Sequence, residues 1–349
     1  MAATARALAL SLLLSLLPAA LPAAQTPPAD DTFQDEITVA LRTLTVRVVD
    51  DFGRPILGLT PRDFRVRLRG REVPVVGVDW IESGVAVPPS QTVAPGLSTT
   101  SEEEPRAPGK LVVFFVQADL NPTRISGQLR LRPYVRELLD TLRPEDRAAV
   151  VSFDSHLHFR QDFTGDWDAV HAAIDRGMLW GGEDEDAEGE PVSLLRHFDA
   201  DGALRAASPE RALGVTARAL EPIQGEKVIV FLGWGLGTFS SFGVQMTPDF
   251  APAVRALKRA HASVFVLDVT SADSHSLETG LQTVAEATGG TYAKTFVLPG
   301  LATRALARTI SGYYVLTVDP GDLPPGGGTL QIRLRHRSGN VVARPVAVR

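Results

Sequence analysis

Two hydrophobic patterns divide this chain. Near the start, Ile37, Val39 and Leu41, then Leu44, Val46 and Val48, recur at every second position, the period of a strand with one buried face. The offset between Leu41 and Leu44 predicts one bulge or break. Two more strands are expected over 64–68 and 73–80, split by a tight turn at Gly70. From Lys110 the pattern changes. Residues 111–116 are a continuous apolar run, as in a strand covered on both faces. Amphipathic stretches then alternate with short apolar ones, the sign of an α/β domain with a parallel sheet. Helices are expected over 124–142 (broken or restarted at Pro133), 167–178, 248–261, 277–288 and 301–310. Strands are expected over 148–153, 157–163, 228–232, 263–268 and 292–297. After residue 311 strand alternation returns, over 312–318, 330–336 and 341–348. These late strands are expected to pair with the early ones, because neither set alone can cover its apolar face.

The division is therefore a β module at 37–83, a linker or surface loop at 84–109, an α/β domain at 110–310 and a C-terminal β segment at 311–349. The linker is rich in Pro, Ser, Thr and Gly and carries Glu102-Glu103-Glu104. Residues 1–24 combine Arg6, an apolar run over 7–17 and a small-residue stretch ending at Ala24, the composition of a secretory signal peptide. That run is shorter than the about 20 apolar residues a spanning helix needs. A polar leader fills 25–36. The expectation is an exported protein, periplasmic or secreted, with no transmembrane segment in the mature chain.

Composition narrows the chemistry. With 35 basic and 41 acidic side chains the formal net charge is -6, which argues against general nucleic-acid binding. The chain has no cysteine, excluding disulfides, thiolate nucleophiles and thiolate metal sites.

Several short segments recur in a telling order: Gly58-Leu59-Thr60-Pro61-Arg62-Asp63-Phe64, Leu142-Arg143-Pro144-Glu145-Asp146-Arg147 entering a strand, Asp162-Phe163-Thr164-Gly165-Asp166, Ala285-Glu286-Ala287-Thr288-Gly289-Gly290, and Tyr313-Tyr314-Val315-Leu316. In this order they resemble a von Willebrand factor A (VWA) domain, particularly the VWFA-related proteins common in acidobacteria, which place β segments before and after it. The resemblance covers most of the mature chain. It implies a doubly wound, mostly parallel, Rossmann-like sheet with a flanking antiparallel β module formed by the N- and C-terminal segments.

The resemblance also implies a metal-ion-dependent adhesion site at the carboxyl edge of the sheet, with the family pattern Asp-x-Ser-x-Ser, a Thr and a later Asp. Here the first motif falls on Gln117-Ala118-Asp119-Leu120-Asn121, the Thr loop near Gly181-Gly182-Glu183, and the later Asp on Gly233 or Trp234. Most ligands are thus replaced. Magnesium wants hard oxygen ligands including carboxylates, and Asp119 is the one carboxylate in the first motif. The expectation is a degenerate site with no metal and no cofactor. The alternative is magnesium or calcium held by Asp119, Gln117, Asn121 and Glu183, with help from the acidic loop at 183–190.

Other chemistry is thinner. His156 and His158 stand two apart on an expected strand and face one side, a zinc pair lacking a third ligand. Asp273, Ser274 and His275 are neighbours in sequence, which is not the geometry of a catalytic triad, and no Gly-x-Ser-x-Gly elbow occurs. Trp234, Phe239 and Phe242 lie in a glycine- and serine-rich loop at the expected ligand edge. They are candidate anchors for a partner or a small satellite core. The leading expectation is a non-enzymatic binding or scaffold module for another protein or a cell-envelope component, the others being metal-dependent adhesion and an unrecognised envelope hydrolase.

Overall fold

A computed structural model describes residues 42–82, 85–87, 109–179, 192–241, 243–319, 328–343 and 347–348. The expected signal peptide and leader, most of 84–109, the acidic loop with Glu183, and Phe242 lie outside the described residues. The N-terminal part forms β1 (Arg42–Val49), β2 (Phe64–Leu68), β3 (Arg71–Val73), β4 (Val75–Glu82) and β5 (Val85–Val87). Arg69 and Gly70, both at positive φ, make the tight turn between β2 and β3. The α/β part follows as β6 (Leu111–Gln117), α1 (Pro122–Leu139), β7 (Arg147–Phe153), β8 (Leu157–Thr164), α2 (Trp167–Met178), α3 (Ala200–Leu204), α4 (Pro209–Leu220), β9 (Lys227–Gly233), the hairpin β10 (Thr238–Ser240) and β11 (Gly243–Gln245), α5 (Phe250–Arg259), β12 (Ala262–Asp268), α6 (Glu278–Thr288), β13 (Tyr292–Lys294) and α7 (Pro299–Thr309). The chain ends in β14 (Gly312–Val318), β15 (Gly328–Leu334), β16 (Asn340–Ala343) and β17 (Ala347–Val348).

The α/β sheet runs β13-β12-β9-β6-β7-β8. Its strands are parallel except β8, which returns antiparallel beside β7 through a short turn. Both faces are covered. Val113, Phe115, Val151, Ile229 and Phe231 pack toward α4, α5 and α6, while Val112, Phe114, Val150, Val230 and Leu232 pack toward α1, α2 and α7. This alternation explains why the central strands read as unbroken apolar runs. It is the doubly wound, mostly parallel, VWA-like arrangement.

Two local expectations change. Pro133 neither breaks nor restarts α1. The carbonyl that loses its bond to the missing N–H belongs to Leu129, a residue 57% exposed, where water can satisfy it. Helix α4 had no sequence expectation at all; Ser208 caps it by accepting from the Arg211 amide at 3.2 Å. By contrast, α6 ends as its sequence implies, on Gly289 in the left-handed conformation.

The β segments from the two ends interleave. One sheet runs β16-β1-β14-β4-β5 and the other β17-β15-β2-β3, so β14 from the C-terminal part sits between β1 and β4. Leu44, Val46 and Val48 share one core with Phe64, Val66, Leu68, Tyr314 and Leu316. Tyr314 is 1% exposed, donates to the Ile56 carbonyl at 2.8 Å and packs against Phe64 and Trp80. The module meets the α/β part through a buried Arg47–Glu226 ion pair and an Arg143–Glu82 pair at 3.6 Å. Glu226 and Arg143 precede β9 and β7, so these contacts lie at the amino ends of the sheet strands. No helix among the described residues is long and apolar enough to cross a membrane.

Candidate functional site

The opposite, carboxyl ends of β6, β7, β9 and β12 converge on one edge, where open α/β sheets bind ligands. Gln117 closes β6 and is 1% exposed. Its Oε1 accepts from the Trp234 amide at 2.9 Å and the Gly235 amide at 3.2 Å, and its Nε2 donates to the Gly235 carbonyl at 3.0 Å. The carboxamide is thus spent on clamping the loop that leaves β9. The clamp is itself anchored, because Gln128 on α1 donates to the Gln117 carbonyl at 2.7 Å. Close approach of α1 to the end of β12 requires Gly127, where a Cβ would lie 1.7 Å from the Val269 carbonyl oxygen.

Asp119 and Asn121 shape the entry to α1. Asn121 is its N-cap, with Oδ1 accepting from the Thr123 amide at 3.0 Å and the Thr123 hydroxyl at 2.7 Å. Asp119 Oδ1 accepts from the Asn121 amide at 3.0 Å. Its Oδ2 pairs with the Arg124 guanidinium, whose Cζ stands 3.5 Å from the centroid of the Trp234 ring. Sequence reasoning passed over Arg124, although a signal existed: it sits in a first helical turn that carries no acid, where the positive end of the helix dipole disfavours a cation. Asp119 offsets that cost.

These partners bear on the fit of a metal ion at the first motif, whose further expected ligand Glu183 lies outside the described residues. Gln117 Oε1 already accepts from two backbone amides, Asn121 caps a helix, Asp119 already holds a guanidinium beside a helix N-terminus, and Trp234 offers no ligand atom. This donor set does not fit a family-type magnesium ion, which needs carboxylate and other hard oxygens free to converge.

Beside the Asp119–Arg124–Trp234 stack lies a cavity of about 340 Å³, also lined by Asp154, Ser155, Ser208, Glu210 and Thr247. Glu210 is 1% exposed and accepts from the Gly237 amide. Its Oε2, like Thr247 Oγ1, is buried with no hydrogen-bond partner among the described residues. Polar atoms in this state call for water or a polar ligand. Trp234 is half-buried against the core beneath α1, whereas Phe239 on β10 is 66% exposed. The two candidate anchors are therefore in different settings.

A second polar group sits at the end of β12. Asp268, 2% exposed, accepts from Tyr292 at 2.6 Å, pairs with His275 Nε2 at 2.7 Å and accepts from the Thr270 amide at 2.9 Å. Burial raises its carboxyl pKa, but the bonds from His275, Tyr292 and Thr270 outweigh this and hold it below the usual carboxylate range. Burial, then the bond to Asp268, pushes the Tyr292 hydroxyl upward. His275 therefore takes Asp268 as its partner rather than the adjacent Asp273. Glu278 completes the group and pairs with Lys294 at 3.0 Å.

No protein-family model matches the chain, and no curated protein matches its sequence. Solved structures do. An aerotolerance-related membrane protein from Bacteroides fragilis, carrying multiple mutations to serines, is 14% identical over 58% of this chain and 98% of that one, with a TM-score of 0.38. BatB from Bacteroides thetaiotaomicron is 15% identical over 58% and 98%, with a TM-score of 0.37. A von Willebrand factor type A protein from Catenulispora acidiphila is 11% identical over 82% and 74%, with a TM-score of 0.41. At such identities and TM-scores no partner and no activity carries over to this chain.

Proposed function

We propose that this chain is an exported, non-enzymatic VWA-like binding module. It takes another protein or a cell-envelope component at the carboxyl edge of its parallel sheet, without a metal ion in the first-motif position. The observation that carries this reading is the Asp119–Arg124–Trp234 stack: a resident guanidinium supplies the positive charge beside Asp119, and its planar face is fixed on an aromatic ring. The adjoining cavity, with two unpartnered buried oxygens, gives a polar partner group somewhere to bind. The pairing of His275 with Asp268 leaves the neighbouring Asp273 and Ser274 without the relay that a hydrolase reading needs.

The test is capture of envelope proteins from the source cell by the immobilised chain, in chelator and in millimolar magnesium. Capture in chelator, reduced about tenfold by Trp234→Ala and by Arg124→Ala with folding intact, is expected. Capture that appears only with magnesium and vanishes in Asp119→Ala would overturn the metal-free reading. No capture under either condition would overturn the binding module itself.

A further inference from the structure

Beyond that reading, we propose that the turn between β7 and β8, whose Asp154 also lines the cavity beside Asp119, is a site for a zinc-class transition-metal ion held by Asp154, His156 and His158. The sequence offers two histidines without a third ligand; the fold supplies it. His156 lies in the turn and not on the strand, and β8 opposes β7 with Ser152 beside His158 and Phe153 beside Leu157. That register brings His158 back alongside Asp154, the residue following β7. His158 Nε2 is 3.1 Å and His156 Nδ1 3.8 Å from Asp154 Oδ1, and the two imidazole centroids are 4.0 Å apart. One ligand atom from each of the three residues lies within 4.8 Å of the other two.

Four ligands at zinc bond lengths stand roughly 3.3 Å from one another at the corners of a tetrahedron. The Asp154–His158 and Asp154–His156 separations of 3.1 and 3.8 Å bracket that edge, and the third pair of ligand atoms lies within 4.8 Å. The donor set is two neutral imidazole nitrogens and one carboxylate oxygen, which suits zinc and its neighbours and not magnesium or calcium, which prefer oxygen alone. Burial is graded: the Asp154 and His158 side chains are 3% and 8% exposed, and His156 is 31% exposed. The ion would be held firmly on two sides with a fourth position open to solvent. The Ser155 hydroxyl, 3.0 Å from Asp154 Oδ1 and 3.1 Å from His156 Nδ1, bonds the atoms that would ligate and has to turn aside when they take the ion. The Asp154 carboxylate also accepts from the Ser155 and His156 amides; the group at Asp268, His275 and Glu278 has a similar composition but carries a resident cation, Lys294, 3.0 Å from Glu278.

Zinc binding to the purified, chelator-stripped full chain, followed by calorimetry and by metal analysis after dialysis, tests this. One zinc per chain is expected at this site, unaffected by millimolar magnesium. Cobalt in its place should show the visible absorption of a four-coordinate ion. His156→Ala, at the exposed ligand, should weaken zinc by about 100-fold or more. His275→Ala should leave this zinc in place. Unchanged melting of His156→Ala in chelator verifies that the variant folds. No bound zinc in the parent chain, zinc retained in His156→Ala, or zinc lost only in His275→Ala would each overturn the assignment. None of these results depends on partner capture.

Discussion

At the scale of single residues, the carboxyl edge is organised by side chains that bond to the chain itself. Gln117→Ala would leave the Trp234 and Gly235 amides and the Gly235 carbonyl without their partner. An unsatisfied buried group costs about 1–3 kcal/mol, so a loss of about 2–4 kcal/mol and a melting point lower by several degrees are expected in thermal or urea unfolding. A ligand role alone would instead leave the metal-free protein as stable as before. Asp268 has a pH signature. Its carboxyl is held below the ordinary range in the folded state, so its contribution is fully present above the unfolded value of about 3.9 and is lost as pH falls through the lower folded value. Asp268→Asn should cost about 2 kcal/mol near neutrality, and its difference from the parent should shrink below about pH 4, as urea titrations at several pH values would show. Sequence could place Asp268 at a strand end, but not the turn that brings His275 back to it seven positions later. The nearer Asp273 is set aside because adjacency is not triad geometry, and nothing in the sequence singles out Asp268 in its place.

At the scale of elements, hydrophobic period was a good guide where packing is two-sided and regular. Residues 167–178 were expected as a helix and form α2 with those bounds. The apolar runs at 111–116, 228–232 and 263–268 are β6, β9 and β12 with small extensions. Helix α4 escaped although it is amphipathic: most of its length is buried, Glu210 and Thr216 included, and only Arg211 and Arg218, seven positions apart, mark its exposed face. In the first motif, where the resemblance implied a degenerate ligand set, Asp119 and Asn121 bond the entry to α1. Asn121→Ala separates the two roles. As an N-cap its loss should cost about 1 kcal/mol, equally in chelator and in millimolar magnesium; a cost that appears only with magnesium would restore a ligand role. The His156–Asp154–His158 turn was half legible, since the pair was visible and the third member depended on the β7–β8 register.

At the scale of the molecule, strands from the N- and C-terminal parts are bound into one module, on the side of the parallel sheet away from the cavity beside Asp119. The Arg47–Glu226 and Arg143–Glu82 pairs tie the module to the amino ends of β9 and β7, and the cavity beside Asp119 lies at the carboxyl ends. The arrangement depends on β14, which is hydrogen-bonded to β1 on one side and β4 on the other. A chain ending before Gly312 would lose the strand between them and also β15, the partner of β2. Leu44, Val46, Phe64 and Val66 would then face solvent in place of Tyr314 and Leu316. Exposed apolar surface of this kind binds hydrophobic dyes and is cleaved readily. Limited proteolysis of the truncated chain should therefore cut within 42–82 at least tenfold faster than in the full chain, with increased dye binding. The sheet around β6 has its own two-sided core and should keep its protection. Equal protection of 42–82 in the two chains would show that the N-terminal strands fold without β14, and the interleaving would then be packing rather than a folding requirement.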